Sequence, residues 1–193
     1  MKLPTIGFIG MSHLGLNYAV ATASKKFKVI CYDENISTIN LLKNKKSPIF
    51  EKDLEKGIKI NFSKLNFTNK MSDLKSCDNV YISKDVSTKT SGESDLTKIK
   101  QLINKTIKHL KKNSNLIILC QVPPGFCRSI NWPKDQLYYQ VETLIFGQAL
   151  ERALHPERLI IGSNLKRTII KKSYLNLLKS FKCPLVQMNY ESA

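Results

Sequence analysis

Along the chain, short runs of β-branched and aromatic residues alternate with stretches in which apolar residues recur every three or four positions. The runs predict strands at residues 5–9, 28–32, 66–68, 79–83, 115–119, 138–141, 158–161 and 185–188. The helical spacing predicts helices over 14–25, 36–43, 96–111, 144–154 and 166–180. In the third of these, Leu96, Ile99, Ile103, Ile107 and Leu110 share a face, and Asp95 stands before them as an acidic cap. Most strands are near-continuous apolar runs, which suits strands covered on both faces, and the alternation of strand with helix predicts βαβ units and a parallel sheet. At roughly 150 residues per domain, the 193 residues make one domain. Two stretches lack periodicity, 44–64 and 84–94. The second joins a strand end to a helix start, where open parallel sheets hold ligands.

The first strand–helix–strand unit carries the most chemistry. Strand 5–9 is followed by Gly10-Met11-Ser12-His13-Leu14-Gly15, a helix rich in small residues, and a second strand ending in Asp33. This is the dinucleotide fingerprint G-x-G-x-x-G with Ser12 at its middle glycine. Gly10 permits the tight turn, Gly15 lets the helix approach the strand, and the free N–H groups at the helix start face a pyrophosphate. Asp33 is placed to accept hydrogen bonds from an adenosine ribose, and its charge repels a 2′-phosphate, so the cofactor is NAD. Ser12 either crowds the cofactor or donates its hydroxyl to a phosphate oxygen. His13 either touches the cofactor or packs. The fold class is then α/β, a Rossmann-type doubly wound, mostly parallel sheet with helices on both faces.

Charge complicates this picture only briefly. Lys and Arg number 31 against 15 Asp and Glu, a net of +16, which raises nucleic acid or anionic membrane as partners. Yet only Arg128, Arg152, Arg158 and Arg167 are arginine, the residue that bidentate phosphate and guanine recognition prefers. The lysines are spread along predicted helix faces with no interleaved aromatics, so neither nucleic acid nor membrane is the expected partner. No apolar stretch reaches the roughly 18 residues that span a bilayer. The cysteines, Cys31, Cys77, Cys120, Cys127 and Cys183, are odd in number and without C-x-x-C spacing, and no histidine joins them in a metal-ligand cluster. A reducing cytoplasm suits them.

Beyond the fingerprint, five segments occur in register with one family. Residues 47–55 (SPIFEKDLE), 92–96 (GESDL), 122–125 (VPPG), 147–149 (GQA) and 155–162 (HPERLIIG) are similar to elements of the UDP-glucose/GDP-mannose dehydrogenases. The chain resembles the N-terminal, NAD-binding domain of that family over nearly all its length. The resemblance implies an oxidoreductase that takes the C6 alcohol of a nucleotide sugar to a carboxylate in two NAD-dependent steps, through a thiohemiester on a cysteine of a later domain. It also implies that residues 1–193 are a single cofactor domain, that the C-terminal substrate domain is absent, and that full-length relatives form homodimers through a connecting helix. The five cysteines here are then packing residues, and the chain alone is inactive.

Departures from the family pattern fall near the expected chemistry. The V-P-T-P loop is replaced by Lys84-Asp85-Val86-Ser87, and Val86 cannot reproduce a threonine hydroxyl. Gln121 replaces a water-orienting threonine but keeps donor and acceptor capacity, suited to a nicotinamide amide or a water. In residues 141–147 (VETLIFG), Glu142 is retained while Ile145 and Phe146 replace an arginine and a second glutamate. Glu142 serves either in acid–base work or as a helix-start carboxylate bonding backbone N–H groups. Three readings follow: the NAD-binding part of a divergent nucleotide-sugar dehydrogenase, a degenerate relative that binds without oxidising, and, least favoured, a basic nucleic-acid-binding domain.

Overall fold

In the computed structural model, which describes residues 3–86, 95–165 and 169–193, eight strands form one sheet in the order β3-β2-β1-β4-β5-β6-β7-β8. The strands are β1 (Thr5–Ile9), β2 (Lys28–Tyr32), β3 (Leu65–Thr68), β4 (Asn79–Ile82), β5 (Asn115–Ile118), β6 (Leu137–Gln140), β7 (Leu159–Ser163) and β8 (Leu185–Asn189). All neighbours pair parallel except β6 with β7. The first six run 3-2-1-4-5-6, so the chain reverses its direction of progress between β1 and β4 and opens a crevice at their carboxyl ends.

The helices are α1 (His13–Ser24), α2 (Ile36–Lys43), α3 (Leu54–Asn61), α4 (Thr97–Ile107), α5 (Phe126–Ser129), α6 (Ala149–Leu154) and α7 (Lys172–Lys179). Helix α1 is buried from Leu14 to Ala23, so its small residues follow from close packing on the sheet rather than from a solvent-facing stripe. Asn35 begins α2 by accepting from the N–H groups of Ser37 and Thr38, and Asp95 accepts from Thr97 N at the start of α4. Strands β4 and β5 are buried along their whole length, as expected of the middle of a doubly covered sheet.

Three expectations need correction. The helix expected from residue 166 begins at Lys172, after a non-helical stretch at 169–171 in which Lys171 N donates to Tyr138 Oη. The stretch 44–64 contains α3, whose buried residues are only Leu54 and Ile58, too few to register as a periodic pattern. The helix expected from residue 144 begins at Ala149, and 144–148 form a loop. The cause is tertiary: Glu51 accepts hydrogen bonds from Gly147 N and Ala149 N, which holds that backbone open. The GESDL segment lies outside the described residues except for Asp95 and Leu96, and so does Ser87.

Candidate active site

The turn after β1 is held from both sides. Gly10 N donates to Tyr32 O at 2.9 Å, and Ser83 N donates to Ile9 O at 3.0 Å. Gly10 sits at φ +98°, and a Cβ there would lie 2.6 Å from the Cα of Lys84. A Cβ on Gly15 would overlap the carbonyl oxygen of Gly10 and stand 2.6 Å from Ser83 Oγ. Both positions therefore require glycine, and they leave the first-turn N–H groups of α1 directed at the crevice. This cradle of backbone donors at a helix start fits the diphosphate of a dinucleotide.

Ser12, at the missing middle glycine, has an extended backbone that any residue tolerates. Its Oγ accepts from Asp85 N at 3.3 Å, which ties the phosphate turn to the segment after β4 and leaves the hydroxyl proton free to donate. Asp33 is nearly buried and accepts from Met11 N at 2.7 Å and from Asn35 N at 2.9 Å. Each oxygen keeps a second lone pair, so the carboxylate both stiffens the turn and can accept further hydrogen bonds.

On the other side of α1 the loops after β5 and β6 close a cleft of about 170 Å³, lined by His13, Leu14, Val86, Cys120, Gln121, Glu142 and Phe146. Ligand pockets run to roughly 300–1,000 Å³, so this cleft holds one end of a ligand rather than a whole dinucleotide. The two residues expected from sequence to do chemistry meet here: Gln121 Nε2 donates to Glu142 Oε1 at 3.1 Å. The other oxygen of Glu142 accepts from Leu144 N at 3.0 Å. That backbone bond keeps part of the helix-start reading, but it closes a turn, since no helix begins there. Beneath the cleft Tyr18 is buried, and burial, with the charge of Glu142 adding, raises its phenol well above the usual range, so it stays protonated.

The largest feature missed in the sequence is Glu51. Its side chain is 1% exposed. It accepts from His13 Nε2 at 2.9 Å, Gly147 N at 3.1 Å, Ala149 N at 3.3 Å and Lys52 N at 3.2 Å. Burial raises its carboxyl, but the His13 ring and the two loop N–H groups outweigh that and hold it below the ordinary value. His13 thus lines the cleft with its ring tied down. It bonds Glu51 and lies against the exposed Phe146 ring, centroids 4.2 Å apart. The only clue was the position of Glu51 in a segment of family likeness, which named no partner.

All five cysteines are free, and Cys31, Cys77, Cys120 and Cys127 are buried. Burial pushes the thiols of Cys77, Cys120 and Cys127 up to about 12, so none is an activated nucleophile. In thiol titration with an aromatic disulfide, the native protein is expected to show at most Cys183 reacting and the unfolded protein all five. Rapid native labelling of Cys120 would contradict the buried placement. Among the described residues no group of His, Cys, Asp and Glu is arranged to hold a metal ion, and no helix is long and apolar enough to cross a membrane.

Comparison with known proteins agrees with this geometry. The model of the UDP-glucose/GDP-mannose dehydrogenase family, NAD binding domain, matches residues 4–181. The chain belongs to that family. UDP-glucose 6-dehydrogenase of Rickettsia bellii is 32% identical over 183 residues, which cover 89% of this chain and 42% of that protein. UDP-glucose 6-dehydrogenase of Campylobacter jejuni is 30% identical over 176 residues, covering 85% and 43%. The fold superimposes on a GDP-mannose dehydrogenase from Pseudomonas aeruginosa with a TM-score of 0.86 at 18% identity, covering 97% of this chain and 47% of that one. A UDP-glucose dehydrogenase from Pyrobaculum islandicum gives 0.85 at 20% identity, covering 99% and 47%. Both likenesses are of fold. The chain spans less than half the length of the UDP-glucose/GDP-mannose dehydrogenases it matches, and the part it matches is the NAD-binding domain.

Proposed function

We propose that this chain is the cofactor half of a nucleotide-sugar dehydrogenase acting on the C6 alcohol of a UDP- or GDP-sugar. The reading rests on one observation: the glycine cradle, Asp33 and the Gln121–Glu142 cleft lie in order along the carboxyl ends of β2, β1, β4, β5 and β6. In this assignment Gly10, Ser12, His13, Leu14 and Gly15 form the wall around the diphosphate, and Asp33 accepts from the adenosine ribose. NAD, when bound, supplies the hydride acceptor. Gln121 has a carbonyl and a second N–H left to hold the carboxamide or a water. Glu142 presents a carboxylate oriented by Gln121 and Leu144 N, placed to hold a proton at the edge of the cleft.

The reaction also requires a nucleophilic thiol and a sugar-binding surface, and the buried thiols here supply neither. We assign both to a substrate domain outside these 193 residues, with homodimer formation as a property of the full-length protein. A reducing, cytoplasmic setting suits five unpaired cysteines. The second reading, a relative that binds without oxidising, is favoured by Phe146, which stands exposed against His13 where the family carries a glutamate.

Titration calorimetry with millimolar NAD is expected to give heat and a weak single-site isotherm, while NAD with UDP-glucose yields no NADH. A folded chain that gave no heat would sink the cofactor assignment. A full-length gene product that bound NAD and a UDP-sugar but formed no NADH would favour the second reading.

A further inference from the structure

Lys84 occupies a place that the cofactor assignment leaves without a role. Its backbone is pressed onto the phosphate turn: Gly10 has no room for a Cβ because Lys84 Cα and Cβ are there. Two serines hold the segment down. Ser83 Oγ donates to Ile9 O at 3.0 Å, and Asp85 N donates to Ser12 Oγ at 3.3 Å. The Lys84 side chain then leaves the end of β4, and its Nζ reaches Glu34 Oε1 beyond the end of β2, 2.8 Å away. A cation therefore spans the line from the turn to Asp33, along which the adenosine diphosphate of a bound dinucleotide must run.

The pair is loosely held. Lys84 and Glu34 side chains are 37% and 62% exposed, and ion pairs so exposed contribute little to stability. Glu34 does not depend on Lys84 alone: its carboxyl is held low chiefly by Lys84, with Lys105 and Lys98 on α4 adding to the effect. A diphosphate at the N-terminus of α1 offers Lys84 a stronger partner, because it carries two negative charges and lies beside aligned backbone donors.

We propose that Lys84 is a cofactor-binding residue, which exchanges Glu34 for the diphosphate of the dinucleotide when NAD enters. This rests on the placement of NAD proposed above. Glu34 acts as the resting partner that keeps the ammonium extended over the groove. The lysine thereby supplies a phosphate contact on the segment where Val86 offers no hydroxyl.

The test is calorimetry of NAD, ADP and adenosine with the wild-type chain and with Lys84→Met, Lys84→Arg and Glu34→Gln, with folding checked by thermal melting. Lys84→Met is expected to weaken NAD and ADP roughly tenfold, the loss of one charge-assisted hydrogen bond, and to leave adenosine unchanged. Lys84→Arg should restore most of that loss. Glu34→Gln should tighten NAD a few-fold, because the competitor is gone. Unchanged NAD and ADP affinity in Lys84→Met overturns the proposal, as does equal weakening of adenosine. If Glu34→Gln weakened NAD as much as Lys84→Met, the pair would be a structural strap and the proposal would fail. If the wild type bound no NAD, the cofactor placement itself would fall and the proposal with it, a result distinct from a wild type that binds and a Lys84→Met variant that binds equally well.

Discussion

Replacing Gly15 with alanine is expected to lower the melting temperature sharply and to abolish NAD binding. The added Cβ would overlap Gly10 O and approach Ser83 Oγ to 2.6 Å. Neither neighbour can yield. Gly10 is anchored through its N–H to Tyr32 O, and Ser83 bonds Ile9 O through both its backbone N–H and its hydroxyl. The helix would have to move away from β1, yet α1 is buried along almost its whole length. Overpacking of a tight core costs about 1–3 kcal/mol, and a clash with backbone belongs at the upper end. For a domain of this size that is a drop of roughly 6–12 °C. Binding suffers separately, because displacing the start of α1 misdirects the N–H groups that face the diphosphate. Thermal melting and NAD calorimetry on one preparation check both effects. A variant that melted with the wild type and bound NAD normally would show that α1 does not lie this close to the turn.

The second large effect is expected at Glu51. Glu51→Gln keeps the shape but sets an NH₂ among the donors that now converge on the carboxylate: His13 Nε2 and the N–H groups of Lys52, Gly147 and Ala149. The buried donor at Ala149 then lacks a partner or faces another donor, a loss of about 2–3 kcal/mol. The pH dependence has a definite sign. Because the folded carboxyl lies below its ordinary value of 4.5, its contribution is fully present above that value. It is lost as pH falls through the depressed one. The stability gap between wild type and Glu51→Gln should therefore be constant near neutrality and shrink in acid. Denaturant unfolding at a series of pH values measures it, and a gap that widened below 4.5 would contradict the assigned hydrogen bonds. The loop bearing Glu142 and Phe146 should also loosen, seen as faster amide exchange at residues 143–149.

Much of the fold could be read in advance, because the signals that specify it are local. All eight strands lie within a residue or two of the expected positions, since runs such as Asn79–Ile82 and Asn115–Ile118 are apolar after their first residue and buried on both faces, and admit few other readings. The phosphate turn was legible for a similar reason: Gly10 and Gly15 are required by short-range sterics and stand at a recognisable spacing before Asp33. The helix expected at residue 144 failed because the run Leu144-Ile145-Phe146 imitates a buried helix face, whereas Ile145 and Phe146 are exposed on a loop. Helix α3 went unread because two buried residues among lysines and asparagines make no stripe.

The sequence by itself determined the alternation of strand and helix, the place of the nucleotide turn and the position of Asp33 at the end of the second strand. These depend on periodicity, on glycine sterics and on separations within one βαβ unit. Only the tertiary structure decided which side chains share a site. Glu51 meets Gly147 and Ala149, Gln121 meets Glu142, and Lys84 meets Glu34, all across loops that local sequence does not connect. A hydrogen bond forms wherever donors and acceptors converge after folding, so its partners are set by how the strand ends are arranged in space, and no local pattern along the chain encodes them.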